Sequence, residues 1–402
     1  MLVVCVSVVP CMVLGQQSPA PAGDPVLQGL SASEFAALRP FAERGAGVLV
    51  RDADSGPRAR ITVLVRARAP IDTVRGAIMA PESYATFMPT IAETSVVSRH
   101  GDHVAFRFRV SAVIFDVDSL SALHRINDHR VDAVIVRSDI GPGASRWDLL
   151  EDGDGTLVAL STWGDPSRGN WLLRQVAARS PNAIAGMNIS TDILLTMGLA
   201  RRAEIVAGRA LPVRPSQREA PTGVLAPPAA GAWRALTHGV VVAAIGFDDD
   251  RVLTQSSVAL HSDESPEAIC RRLENVSAYG SVWHGMRDVR VVQNAQGVVR
   301  FSSVVRGPMS EARGEQEVSV SPGAEGPVVH WRGVAGDFAG HDHRWDLVRD
   351  GSGTIVVLTG GSEFERAGAI TRAMIARDVW LLAGFSASWK LVWMRPLVQV
   401  SP

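Results

Sequence analysis

The sequence predicts an α+β protein made of two tandem copies of one module, in which a long C-terminal helix lies across an antiparallel sheet. Three observations predict it. The chain repeats itself: Arg146-Trp147-Asp148-Leu149, the turn Asp152-Gly153-Asp154-Gly155 and Thr156 recur as Arg344-Trp345-Asp346-Leu347, Asp350-Gly351-Ser352-Gly353 and Thr354, 198 residues later. Upstream, Tyr84, Val96-Val97 and Phe106 recur as Tyr279, Val291-Val292 and Phe301 at an offset of 195. That period far exceeds the ~20–50 residues of a solenoid unit, so the repeated unit is a globular domain. Second, β-rich runs alternate between Asp-Gly turns. Third, each copy closes on a long stretch with apolar residues at helical steps.

The chain has 402 residues, 46% hydrophobic and 20% charged, with a net charge of −1. Each copy is long enough to bury a core of its own. Acids and bases are mixed, which leaves neither the basic footprint of a nucleic-acid binder nor a polybasic membrane anchor. Leu2–Leu14 is an apolar run followed by Gly15, and residues 1–15 read as an export signal, short of the ~20 residues that span a bilayer. No Lys or Arg precedes the run. Export implies a periplasmic or secreted protein; without it the chain is cytoplasmic. Cys5 and Cys11 lie in this segment, so the mature chain keeps only Cys270 and no internal disulfide. Cys270 reads as a small buried hydrophobe on an amphipathic helix.

In order along the chain, residues 16–29 are a Pro/Ala-rich tail and copy one runs over 30–208. Residues 209–232, with Pro212, Pro215, Pro221, Pro227 and Pro228, form a linker, and copy two runs over 233–402. Each copy begins with two β-rich segments, Gly47–Arg51 with Ile61–Arg68 and Val240–Phe247 with Val252–Leu260. A short helix follows, opened by Ala69-Pro70-Ile71-Asp72 and by Ser265-Pro266-Glu267. Several strands come next; Val104, Phe106, Phe108 and Val110 face one way, Arg107 and Arg109 the other. The closing helix of copy one carries Ala185, Ile189, Ile193, Met197 and Ala200 on one stripe. That of copy two carries Ile375, Val379, Leu382, Phe385, Trp389 and Val392. A sheet with one face to cover and a helix with one stripe to bury pack as two layers.

Ala69-Pro70-Ile71-Asp72-Thr73-Val74, Tyr84-Ala85-Thr86-Phe87-Met88-Pro89 and Val96-Val97, with Trp147-Asp148-Leu149 ahead of the acidic turn, resemble the START-like, polyketide cyclase/dehydrase and coenzyme Q-binding superfamily. Copy two keeps Tyr279, places Trp283 at the aromatic position and departs at His284-Gly285. The resemblance implies two tandem helix-grip domains, each a curved antiparallel sheet wrapped around its C-terminal helix. It also implies an apolar cavity that takes lipids, sterols, quinones, polyketides or plant hormones, with catalysis in a minority of members. On that basis the expected ligand-cavity residues are Tyr84, Phe87, Phe106, Trp147, Ile189, Ile193, Tyr279, Trp283, Phe301, Trp345, Val379, Leu382 and Trp389.

Candidates for chemistry are few. No Gly-x-Ser-x-Gly, Walker loop, Cys-x-x-Cys or His-Glu-x-x-His is present, and no cofactor is expected. Asp337, His341 and His343 could in principle hold zinc, but copy one has Gly143 and Ser145 where the histidines stand, so solvated strand histidines are expected. Asp152 and Asp154 read as a hairpin turn, since calcium needs six or more oxygens. Arg146/Asp148 and Arg344/Asp346 share a strand face opposite Trp147 and Trp345. Two desolvated charges are costly, so the tryptophans are expected inward and the ion pairs on the surface, worth under about 1 kcal/mol. Asp192 is placed at the edge of the buried stripe. Asp148 and Asp192 are the weak catalytic candidates. Trp163, Trp171, Trp380, Trp389 and Trp393 read as core or pocket wall. The expected function is a carrier that binds a hydrophobic small molecule or lipid, with transient membrane contact. The alternatives are a cyclase- or dehydratase-like enzyme using a cavity carboxylate, and an interaction protein with vestigial cavities.

Overall fold

A computed structural model describes residues 30–51, 60–112, 115–165, 168–171, 174, 181–209, 230–237, 240–247, 253–283, 285–306, 311–361, 373 and 380–398. The export segment, the tail, nearly all of the linker, His284, Ile375 and Val379 lie outside them. In the first half, helix α1 (Ala32–Arg44) leads into strands β1 (Gly45–Arg51) and β2 (Arg60–Ala67). Helices α2 (Ile71–Ile78) and α3 (Tyr84–Phe87) precede β3 (Ile91–His100), β4 (His103–Ala112), β5 (Phe115–Asn127), β6 (Arg130–Ser138), β7 (Gly143–Asp152) and β8 (Gly155–Gly164). The long helix α4 (Pro181–Val206) closes the half. The second half repeats the order: α5 (Ala230–Leu236), β9 (Val240–Phe247), β10 (Leu253–Ser262), α6 (Pro266–Glu274) and α7 (Tyr279–Val282). Then follow β11 (Met286–Ala295), β12 (Val298–Arg306), β13 (Glu311–Pro322), β14 (Pro327–Gly336), β15 (Asp342–Asp350), β16 (Gly353–Gly361) and α8 (Trp380–Val398).

The two halves do not form separate sheets. All the strands join one antiparallel 16-stranded sheet, in the order β11-β12-β13-β14-β15-β16-β10-β9-β1-β2-β8-β7-β6-β5-β4-β3. The seam is the pairing of β1 with β9, in which Val48 lies opposite Ala243, its own counterpart at the 195-residue offset. The flanking partners, Ala46 with Ile245 and Val50 with Val241, are symmetric about that point. The duplication therefore closes on itself as an internal pseudo-twofold. The reason lies in the seam strands: Ala46–Val50 and Val241–Ile245 are buried throughout, and a strand with no polar face needs cover on both sides and a neighbour at each edge.

Both covers are present. On the outer face α1 and α5 lie over the seam, where Leu38, Leu49, Leu64, Leu157, Trp233 and Val242 make one apolar cluster. Leu38 and Trp233 are counterparts, and Phe41 stacks on Trp233 at 5.3 Å. Each half thus begins with a helix, not with its two β-rich segments as expected; Ser31 and Glu34 form a reciprocal capping box at the start of α1. On the inner face α4 and α8 pack against each other and against the central strands. Their cluster runs unbroken from Val48 and Ile193 through Val258 and Leu391, so the halves share one core instead of burying one each.

The helix crossing depends on small residues. Ser190 and Ser388, also counterparts, place their hydroxyls 2.9 Å apart. A Cβ on Gly384 would lie 2.6 Å from Ser190 Cα, and one on Gly186 would lie 2.9 Å from Ser388 Cβ. Because α8 packs on both sheet and helix, its buried line is Ala383, Ala387, Leu391 and Met394. Phe385, Trp389 and Val392 of the expected stripe are only half-buried.

Candidate functional site

In the first half the inner floor is built from short side chains under an aromatic rim. The turn from α2 into α3 is fixed by Tyr84, whose hydroxyl donates to Ile78 O at 2.5 Å. Its ring stands edge-on to Phe87 and to Phe106, both at 5.9 Å. Trp147 from β7 is buried on the same face, as sequence spacing predicts, with Ile189 and Ile193 of α4 above. Between them the floor carries Ser119, Ser121, Ala133 and Ser145 on β5, β6 and β7. Ser121 lies opposite Phe106, and Ala133 lies opposite Leu123 and Ser145. Several inward positions remain half-exposed: Phe87, Phe108, Ala133, Ile135, Ser145 and Leu195.

Asp192 lies inside, not at the edge where its spacing places it. It is 4% exposed, and its Oδ2 accepts a hydrogen bond from the Thr162 hydroxyl at 2.5 Å. Burial drives its pKa up to about 8 against the opposing pull of that bond, so the carboxyl holds its proton at neutral pH. Thr162 stands on the inner face of β8, opposite Ser145.

The second half keeps the frame and fills it. Tyr279 donates to Leu273 O as Tyr84 does to Ile78 O. The Trp283 indole N–H donates to Trp393 O at 2.8 Å. Trp331 lies 5.5 Å from Trp283, 5.0 Å from Trp393 and 6.2 Å from Trp345. Phe301 edges onto Tyr279 at 5.4 Å, and Leu382 is buried in the same cluster. Trp389 stacks on His343 at 5.1 Å and lies 4.8 Å from Trp393. Lys390, 1% exposed, donates to Ser386 Oγ at 2.8 Å. Desolvation, with the Lys390 charge beside it, pushes the His343 pKa well below its ordinary value.

Strand pairing aligns the halves residue by residue. Where the first has Met88, Ser121, Ala133, Ser145, Thr191 and Leu195, the second has Trp283, Gln316, Trp331, His343, Trp389 and Trp393. Trp283 is thus the counterpart of Met88, each capping its short helix, while Val282 takes the place of Phe87. Thr162 corresponds to Gly360, where a Cβ would lie 2.7 Å from His343 Nδ1. Asp192 corresponds to Lys390. Nothing in either stretch alone marks this; only the alignment exposes it.

The expectation of solvated histidines fails at His343, which is 4% exposed because Trp389 covers it. Asp337 accepts the backbone N–H of Arg313, and among the described residues no three His, Cys, Asp or Glu side chains group to hold a metal. Cys270 is free and buried.

Asp148 lies on the outer face, across the sheet from Trp147 and Asp192. It is buried, not on the surface, and its Oδ2 has no hydrogen-bond partner among the described residues. Burial raises its pKa to about 6, opposed by Arg146 and Arg130. Arg146 reaches Asp132 at 3.3 Å, whereas in the second half Arg344 pairs with Asp346 at 2.6 Å. Asp152 and Asp154 accept Arg66, their turn closed by Gly153 at φ +62°. Trp163 is on the outer face under Arg60, Trp171 is 69% exposed, and Trp380 packs edge-on to Phe247.

No protein-family profile matches this chain, and no curated protein does. The chain is similar in fold to START-like and polyketide aromatase/cyclase structures. TTHA0849 from Thermus thermophilus is 18% identical, with 37% of this chain and 99% of that one covered at a TM-score of 0.32. A STAR-related lipid transfer protein from Xanthomonas axonopodis is 20% identical, covering 34% and 87% at 0.29. The di-domain aromatase/cyclase StfQ from the steffimycin biosynthetic pathway is 11% identical, covering 82% and 96% at 0.27. No described helix is long and apolar enough to cross a membrane.

Proposed function

We propose that this protein binds a hydrophobic small molecule in its first half, between the sheet and α4, while its second half braces that compartment as a filled copy. The observation that carries the reading is the six-position substitution just described. On one frame, four tryptophans, a histidine and a glutamine occupy the second half where the first has methionine, two serines, alanine, threonine and leucine. Rings packed 4.8–5.5 Å apart leave the second interior closed on itself. On the same frame the first half carries the shorter Ala133, Ser145 and Leu195, half-exposed although they point inward, which supports a compartment open to a guest. Burying a ligand's apolar surface there supplies roughly 25 cal/mol per Å² before ordering costs.

The carrier would be exported through residues 1–15, its helix-grip halves spanning 30–208 and 233–402 about the linker 209–232. A second reading has one supporting observation. Asp192, protonated at neutral pH, could donate a proton in a cyclase- or dehydratase-like step.

Native mass spectrometry of protein purified without detergent tests the main reading. The unaltered chain should carry a small-molecule adduct. The double variant Ala133→Trp with Ser145→His, which copies the second half's filling, should carry none. Adduct retained by a folded double variant would sink the assignment to the first half.

A further inference from the structure

We propose that the first half selects a hydrophobic amine, its ammonium group paired with Asp192 and its apolar part laid against Tyr84, Phe87, Phe106 and Trp147. This rests on the first half being the ligand compartment.

Four observations carry it. Among the described residues the Asp192 carboxyl has one hydrogen-bond partner, the neutral Thr162 hydroxyl, and no charged side chain acts on it. An amide could accept the same hydrogen bond; what a carboxylate adds is charge, which in an apolar interior is costly until a cation meets it. Further along the same inner face, toward β4, Tyr84, Phe87 and Phe106 pack edge to face, a surface for an apolar tail. Finally, the twin position already holds an ammonium. Lys390 occupies in α8 the place of Asp192 in α4, buried beside Trp389 and His343. The second half thus lodges, as part of its own chain, the chemical group that the first half would receive from outside. Without a cation the buried carboxyl stays protonated; an ammonium pairs with its ionised form, whereas an alcohol brings no charge to favour ionisation and an anion opposes it.

Isothermal titration calorimetry of the full chain at pH 7.5 with octylamine, 1-octanol and octanoate isolates the headgroup at constant tail. The amine is expected to bind about tenfold tighter, or more, than either of the others, and Asp192→Asn to erase that preference. A smaller preference, or one that survives in Asp192→Asn, overturns the proposal while leaving a hydrophobic compartment in place. Absence of heat from all three probes removes the compartment as well. Should Asp192→Asn fail to fold, the headgroup series on the unaltered protein decides alone.

Discussion

Ser190 and Ser388 touch through their hydroxyls at 2.9 Å, and each is the other's counterpart in the duplicated sequence. With Val48 and Ala243 at the sheet seam, they mark two points on one internal axis. The backbones approach closely there only because Gly186 and Gly384 lack side chains. Gly384→Ala should therefore destabilise. Alanine gains about 1 kcal/mol in helix propensity, but a Cβ 2.6 Å from Ser190 Cα forces the helices apart, and overpacking costs about 1–3 kcal/mol. Thermal unfolding checks it; an unchanged or raised midpoint would mean that the crossing is looser than described.

Trp331→Ala removes the ring that touches Tyr279, Trp283, Phe301, Trp345 and Trp393. A loss of about 3–5 kcal/mol is expected. Because one core spans both halves, the whole chain should respond: urea melts followed by far-ultraviolet circular dichroism and by tryptophan fluorescence should still coincide. Two resolved transitions would show that the halves stand alone after all.

Asp192 makes stability depend on pH. Its folded pKa of about 8 lies above the ordinary 3.8, so the folded state binds the proton more tightly. Its contribution is complete below pH ~4 and is lost as pH rises toward ~8, at no more than about 1.4 kcal/mol per unit. Asp192→Asn should flatten the wild-type decline over that window. Parallel pH profiles for the two proteins would refute the buried protonated carboxyl.

Asp148 tests the division between the two faces. Asp148→Asn should leave ligand loading unchanged, because the side chain is on the far side of the sheet. At pH 7.5 the variant should melt at or above the wild type, since burial opposes ionisation of the carboxyl, whose pKa is raised to about 6. The advantage should shrink as pH falls toward 4. A clear loss at pH 7.5 would mean that Arg146 and Arg130 outweigh desolvation.

Much of this was legible in the residues. Repeated motifs exposed the duplication, alternation placed Trp147 inward, and Asp-Gly pairs marked the tight turns at Gly153 and Gly351. The seam was half-legible: Val48-Leu49-Val50 and Val241-Val242-Ala243 have no polar face, which signals a central strand, but no local pattern names the partner. Asp192 was misplaced because a helix wedged between a sheet and a second helix is buried around most of its circumference, so a single stripe understates its interior. His343 was misjudged because its cover, Trp389, comes from a helix far along the chain.

The covalent join has one further consequence. Were the axis to relate two identical polypeptides, any residue beside it would appear twice, and an acid on one side would face its own duplicate on the other. Fusion into a single chain lifts that constraint. An acid at 192 and a base at 390 are a pair that symmetry-related positions of identical subunits could not present.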